Sequence, residues 1–173
     1  MTAHTQTEVE IVKDQSFDRI LIRWPGGQSV ETRFPKKGPI PHDAVHYIVE
    51  QELSLTEGFW GMVASGMAPG MVQERAKTGG HASAKRREPP ATDIVELIQA
   101  ERLVECFEAE AWGEPGDTDT LRCVAAAACD HSFVATPDLP DPVIAAIRTR
   151  IQTLKIEWLA LPIGQSLIFD WPA

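Results

Sequence analysis

The run Pro41-His42-Asp43-Ala44-Val45-His46-Tyr47-Ile48-Val49-Glu50 sets two imidazoles four residues apart, with one carboxylate beside the first and another four residues past the second. On a helix, residues four apart stand nearly one above the other, so His42 and His46 point the same way, about 40° apart around the axis. Two imidazoles so placed can bind one ion, which is why this spacing recurs in zinc sites. His46 falls on the apolar stripe of Val45 and Val49, and Glu50 stands at its edge. Asp43 lies in the first turn, where a carboxylate also suits the positive end of the helix. His42 and His46 are therefore candidate metal ligands, with Asp43 or Glu50 as third ligand or as the base that takes a proton from water. A mixed nitrogen and oxygen shell suits zinc, iron or manganese, and an ion held there lowers the pKa of its water enough for attack on an ester, amide or phosphate.

Completing ligands must come from elsewhere in the chain. The spacing from Thr92 to Trp112 predicts a helix on which Glu101, Glu105 and Glu108 fall within about 60° of one another. Leu97, Val104 and Ala111 border them, which places the stripe at a boundary or cleft. Clustered carboxylates repel, and a cation relieves the repulsion, so Glu105 is a candidate ligand. His131, near the apolar face of Leu121, Ala125 and Ala128, is another. Each has a plainer reading. A histidine on an apolar face is more often a hydrogen-bonded core residue, and a row of glutamates is more often a solvated helix face.

His42-Asp43-Ala44-Val45-His46 resembles the HExxH motif of zinc metalloproteases, with aspartate where that family has glutamate. The shorter arm departs from the family's general base, and no third ligand falls at a matching position. The His42-Asp43 doublet is also similar to that of metal-dependent phosphohydrolases, which need an upstream histidine and a later aspartate on other helices; upstream here stands only His4. The longer stretch PHDAVHYIVEQELSLTEGFWGMVASG, residues 41–66, looks like a group of small bacterial proteins of unknown function that share a P-H-D-x-x-H-x-x-V-E run followed by G-F/V-W-G. That resemblance implies that the two segments belong together, and it brings no activity with it.

The elements that must hold these residues follow from periodicity. Val9 and Ile11, then Ile20, Ile22 and Trp24, then Val30, Thr32 and Phe34 alternate along their runs. This predicts three strands in an antiparallel meander, with Pro25-Gly26-Gly27-Gln28 turning between the last two. The C-terminal SLIFDWPA ends in Trp-Pro as LIRWPG does, and predicts a fourth strand returning to the sheet; proline cannot donate to a ladder, so each run stops near its tryptophan. Helices are predicted over about residues 41–54 and over the apolar segment 58–66. Three more run from a Thr92 or Asp93 cap to about Trp112, from residues 117–119 to about 132, and onward from an Asp141 cap with Pro142 behind it. In the last, Ile144, Ile147, Ile151, Leu154, Trp158 and Leu161 form a heptad-like stripe that either packs on the sheet and other helices or makes a dimer seam. Residues 73–90, with no apolar period, a Gly-Gly pair and the cluster Lys85-Arg86-Arg87, read as a mobile basic loop. The expected fold is one α+β domain over residues 1–173, a three- to four-stranded antiparallel sheet packed on one side by four to five helices.

Composition narrows the function. A chain of 173 residues, 43% hydrophobic and 24% charged, fits one soluble globular domain. No apolar run approaches the roughly 20 residues that cross a bilayer, and residues 1–14 lack the regions of a signal peptide, so a cytoplasmic protein without a membrane segment is expected. An odd count of three cysteines fits reduced thiols. A net charge of −9 disfavours nucleic acid, whose phosphates need prominent lysine and arginine. Two expectations remain. One is a metal-binding protein, in its fullest form a metal-dependent hydrolase acting on a small molecule. The other is a non-enzymatic module, a homodimer or partner-binding protein in which the histidine helix and Gly58-Phe59-Trp60-Gly61 form an interface. Whether His42 and His46 face the glutamate stripe separates them.

Overall fold

The fold is taken from a computed structural model that describes residues 5–80 and 88–172. Three strands come first, β1 (Thr7–Val12), β2 (Phe17–Arg23) and β3 (Ser29–Pro35), and the last element is a fourth strand, β4 (Ser166–Trp171). Between them lie α1 (His42–Glu52), α2 (Phe59–Ala64), α3 (Pro69–Thr78), α4 (Val95–Ala111), α5 (Thr118–His131) and α6 (Asp141–Ala160), with a 3-10 turn at Thr92–Ile94 leading into α4. The sheet order is β3-β2-β1-β4 with every neighbour antiparallel, so the architecture is α+β with the expected meander and returning strand.

Cross-strand partners share a face, and the register therefore sorts the sheet into two sides. Val9 stands opposite Ile22 and Phe169, and Ile11 opposite Ile20 and Leu167. These residues join the core, whereas Arg23 pairs with Glu8 and, at 2.7 Å, with Glu10. Gly26 and Gly27 both have positive φ, 93° and 89°, in the turn between β2 and β3, where a side chain would be strained.

The stripe on α6 is absorbed by the chain itself. Ile144, Ile147, Ile151, Leu154 and Trp158 are at most 3% exposed in the core, each worth about 1.5–3 kcal/mol of burial, and Leu161 packs against them. Its C-terminal carbonyls lack a basic residue of their own helix, and Lys13 at the end of β1 supplies one, donating to the carbonyls of Trp158 at 2.7 Å and Leu161 at 2.8 Å. A cation there also offsets the negative end of the helix dipole.

The structure departs from expectation in local ways. Six α-helices are present among the described residues instead of four or five, because α3 occupies residues 69–78, partly inside the segment read as a loop. Only Pro69 and Val72 of α3 are buried, so it carries no apolar period to read. Residues 81–87, with the Lys85-Arg86-Arg87 cluster, and His4 lie outside the described residues. Thr92 and Asp93 belong to the 3-10 turn and do not cap α4. Asp141 is the first residue of α6 and pairs with Arg122, while Pro140 takes the cap position. Asp117, by contrast, caps α5 through Thr120 N–H at 2.7 Å. Cys106, Cys123 and Cys129 are free thiols, and among the described residues no helix is long and apolar enough to cross a membrane.

Two glycine variants test this packing. A Cβ on Gly61 would lie 2.2 Å from the Thr56 carbonyl oxygen, while one on Gly70 meets nothing within 4 Å. Gly61→Ala is expected to destabilise the protein by about 1–3 kcal/mol or more, and Gly70→Ala to change stability by less than about 1 kcal/mol, in a stabilising direction. Chemical denaturation midpoints of the two variants check the contrast.

Candidate metal centre

Helix α1 is enclosed on nearly every side. It packs on α2, α4 and α6, and the Tyr47 ring meets Phe169 and Trp171 of β4 at 5.1 and 5.3 Å. From Ala44 to Glu50 every side chain is buried, and so is His42. Three of these, His42, His46 and Glu50, are polar, and at such positions each must find a partner inside the protein.

Glu50 is completely buried, and both its oxygens are engaged. One accepts from the Phe59 amide at 3.0 Å and faces His46 Nδ1 at 3.3 Å; the other accepts from the amides of Trp60 at 2.8 Å and Gly61 at 3.3 Å. These amides open α2, where a helix leaves its N–H groups without internal partners. The Trp60 indole N–H returns the tie by donating to the Asp43 carbonyl at 2.8 Å. A Cβ on Gly58 would fall 2.5 Å from a Glu50 oxygen, so glycine is required there for the carboxylate to come so close.

The histidines turn toward α4. His42 Nδ1 faces both oxygens of Glu108 at 3.0 and 3.1 Å, and His46 Nε2 lies 2.9 Å from Glu101. The other Glu101 oxygen stands 3.6 Å from His42 Nε2, close enough for ion pairing and too long for a hydrogen bond. That nitrogen is buried and has no hydrogen-bond partner among the described residues. The two rings meet edge to face with centroids 4.7 Å apart. His42, His46 and Glu101 each offer one ligand atom, all within 4.8 Å of one another. With bonds of about 2.0–2.2 Å, two ligands of one ion stand up to roughly 4.4 Å apart, so a small closure would seat an ion.

The electrostatics follow from the same pairs. Burial opposes charge on both rings, but the facing carboxylates outweigh it. The pKa of His42 rises to about 9 through Glu101 and Glu108, and that of His46 to about 10 through Glu101 and Glu50. Burial would raise the Glu101 carboxyl, and the two rings instead hold it well below the usual carboxylate range. Burial pushes the half-buried Asp43 carboxyl up, against the pull of His46, His42 and Lys37. A cavity of about 250 Å³ opens on the cluster, with His42, Asp43, His46 and Glu101 in its wall.

The chain matches no protein-family model, no curated protein and no solved structure. Its own geometry is therefore the ground for assigning the site. Of the residues singled out in the sequence, His42, His46 and Asp43 come together at the cavity. Glu50 adjoins His46, but its engaged oxygens make it a support for the histidine and not a free base. Glu105 is half exposed and paired with Arg102 at 3.0 Å, and it stands outside the three-ligand group. His131 is an exposed residue at the end of α5, likewise outside that group. The carboxylates that meet the histidines are its neighbours on the stripe, Glu101 and Glu108. They are seven residues apart and so about 20° apart on the helix, while Glu105 is rotated about 40° or more from both. That seven-residue spacing, matched to an antiparallel histidine helix, was the available signal.

Two outcomes follow for the protein in the presence of chelator. Because the folded pKa values of His42 and His46 exceed the ordinary 6.5, the stability they contribute is full below about pH 6.5 and is lost as pH rises through about 9 to 10. Denaturant midpoints measured with chelator should fall across that window, and a His42→Ala/His46→Ala variant should show a flatter profile. Glu50→Ala leaves three backbone amides, two of them buried, and a buried ring without this acceptor and is expected to cost about 3–5 kcal/mol, read from the same midpoints.

Proposed function

We propose that the protein is a metal-dependent hydrolase built on one divalent ion held by His42 Nε2, His46 Nε2 and an oxygen of Glu101. The observation that carries this reading is His42 Nε2, a buried nitrogen with no hydrogen-bond partner among the described residues, 3.6 Å from a Glu101 oxygen and grouped with His46 and Glu101 as ligand atoms within 4.8 Å of one another. Native proteins rarely leave such an atom unbonded, and a metal ion is a partner that hydrogen-bond geometry does not reveal. The opposite nitrogens support it. Glu108 and Glu50 face the two Nδ1 atoms, as carboxylates do behind ligand histidines, fixing each ring with Nε2 toward the ion.

Two nitrogens and one carboxylate suit zinc, iron or manganese and leave positions open for water and substrate. A bound ion supplies a water acidified to near neutral pH. Asp43 is the candidate base: it lines the cavity, and its raised pKa brings it closer to the working range of a proton acceptor. Glu50 and Glu108 hold the rings in place. In the competing, non-enzymatic reading the cluster is a buried ionic lock between α1 and α4. Its support is that two protons on the rings already answer the facing carboxylates.

Elemental analysis of tag-free protein separates the two. The hydrolase reading expects about one divalent ion per chain, lost in His42→Ala/His46→Ala and in Glu101→Ala. Because the ion replaces ring protons, loading stripped protein at pH 7 should release about two protons, measured by calorimetry in buffers of different ionisation enthalpy. Substoichiometric metal in wild type and variants alike would sink the metal reading. Asp43→Asn should keep the ion and lose most hydrolysis of p-nitrophenyl acetate or p-nitrophenyl phosphate; undiminished turnover would remove Asp43 as base.

A further inference from the structure

The cavity beside the histidines has a second character, set by the wall away from them. Phe34 of β3, Phe59 of α2, Val72 of α3 and Leu97 of α4 make that wall apolar. Phe34 and Phe59 form an aromatic corner, edge to face at 6.2 Å, each ring keeping the other in place. Two cations, Lys37 before α1 and Lys77 in the last turn of α3, also line it, with Gln73 and Ala76 of α3.

These lysines differ from the other described lysines of the chain. Lys36 is bound to Asp18 at 3.0 Å, Lys13 to the end of α6, and Lys155 to the Ala111 carbonyl at 2.8 Å. Lys37 and Lys77 are exposed, and among the described residues neither forms an ion pair. Lys37 is nevertheless close enough to act on the Asp43 carboxyl, so its field reaches the inner wall. On a chain of net charge −9 an anion meets repulsion over most of the surface, and two ammonium groups in one cavity lining favour it there, alongside the Asp43 and Glu101 carboxylates that the histidines face. The cavity, of about 250 Å³, is close to the lower end of the range for small-molecule sites.

We infer that this cavity binds a small organic anion, its carboxylate or phosphate between Lys37 and Lys77 and its apolar body against Phe34 and Phe59. That such an anion is the substrate rests on the metal-centre reading; that it binds does not. Lysine suits this task as a point charge that accepts either anion without a fixed fork.

Titration of the whole protein, as isolated, with benzoate, phenylphosphonate and neutral benzamide tests the inference by calorimetry. At least one anion should bind in the millimolar range or tighter, and the better of the two identifies the headgroup. Benzamide should bind weaker by roughly tenfold, and Lys37→Gln/Lys77→Gln should lose roughly tenfold for the anion while leaving benzamide and metal content unchanged. Equal binding of anion and benzamide, an unaffected double variant, or no binding of either anion overturns it. Lysine-dependent binding in protein that elemental analysis finds free of metal upholds the anion site and removes only the metal reading.

Discussion

The carboxylate of Glu50 is cut off from water, and its surroundings stand in for the water it has lost. Three backbone amides and an imidazole nitrogen meet its two oxygens, which is close to the full accepting capacity of the group. The amides exist there because α2 begins there, and α2 can begin there because residue 58 has no side chain. Residue 61 is glycine for a different reason, the passage of the Thr56 carbonyl. Glu50 thus ties α1 to the start of α2, beside the Tyr47–Trp60 ring contact and the Trp60 indole bond to Asp43. It also fixes the ring of His46 from behind.

From that ring the constraint passes to α4. His46 and His42 are spaced by one turn, and the carboxylates they meet are spaced by two, so the helices lock in an antiparallel alignment with Glu101 shared between both rings. The raised pKa values of both rings put protons at the shared position; on the proposed metal reading a divalent ion would put two positive charges in their place, and Glu50, Glu101 and Glu108 would face the same net charge. A site of this kind can exchange protons for metal with little rearrangement, since the supporting carboxylates serve both states.

Much of this was legible in the chain. Alternation of Val9 with Ile11 and of Ile20 with Ile22 marked the first strands, because these residues turn one face to the core, and the apolar run ending in Trp171-Pro172 marked the returning strand. The α6 stripe was equally plain, and burial in the chain's own core accounts for it. Helix α3 was missed since a helix that buries two residues leaves almost no pattern. In the site, His42 and His46 stood out by spacing alone. Glu105 was preferred on the glutamate stripe because a projection ranks residues by angle without knowing where the neighbouring helix lies, and α1 lies toward Glu101 and Glu108. The role of Glu50 was beyond a sequence reading for a related reason: its partners are backbone amides, which every residue carries and no composition distinguishes.

The pairing of β1 with β4 has a consequence for how the site comes into being. Thr7 and Trp171 are cross-strand partners, and Phe169 and Trp171 are the rings that press on Tyr47, the residue next to His46. The histidine helix therefore gains its last wall only from residues that leave the ribosome after all its other neighbours. A nascent chain can form the meander, α1 and α4 early, but the pairing of β1 with β4 closes over two strands and six helices, a slow step because strands distant in sequence must meet. Until β4 is in place the imidazoles sit in an unfinished pocket, and the histidine cluster takes its final form only with the pairing of β1 and β4.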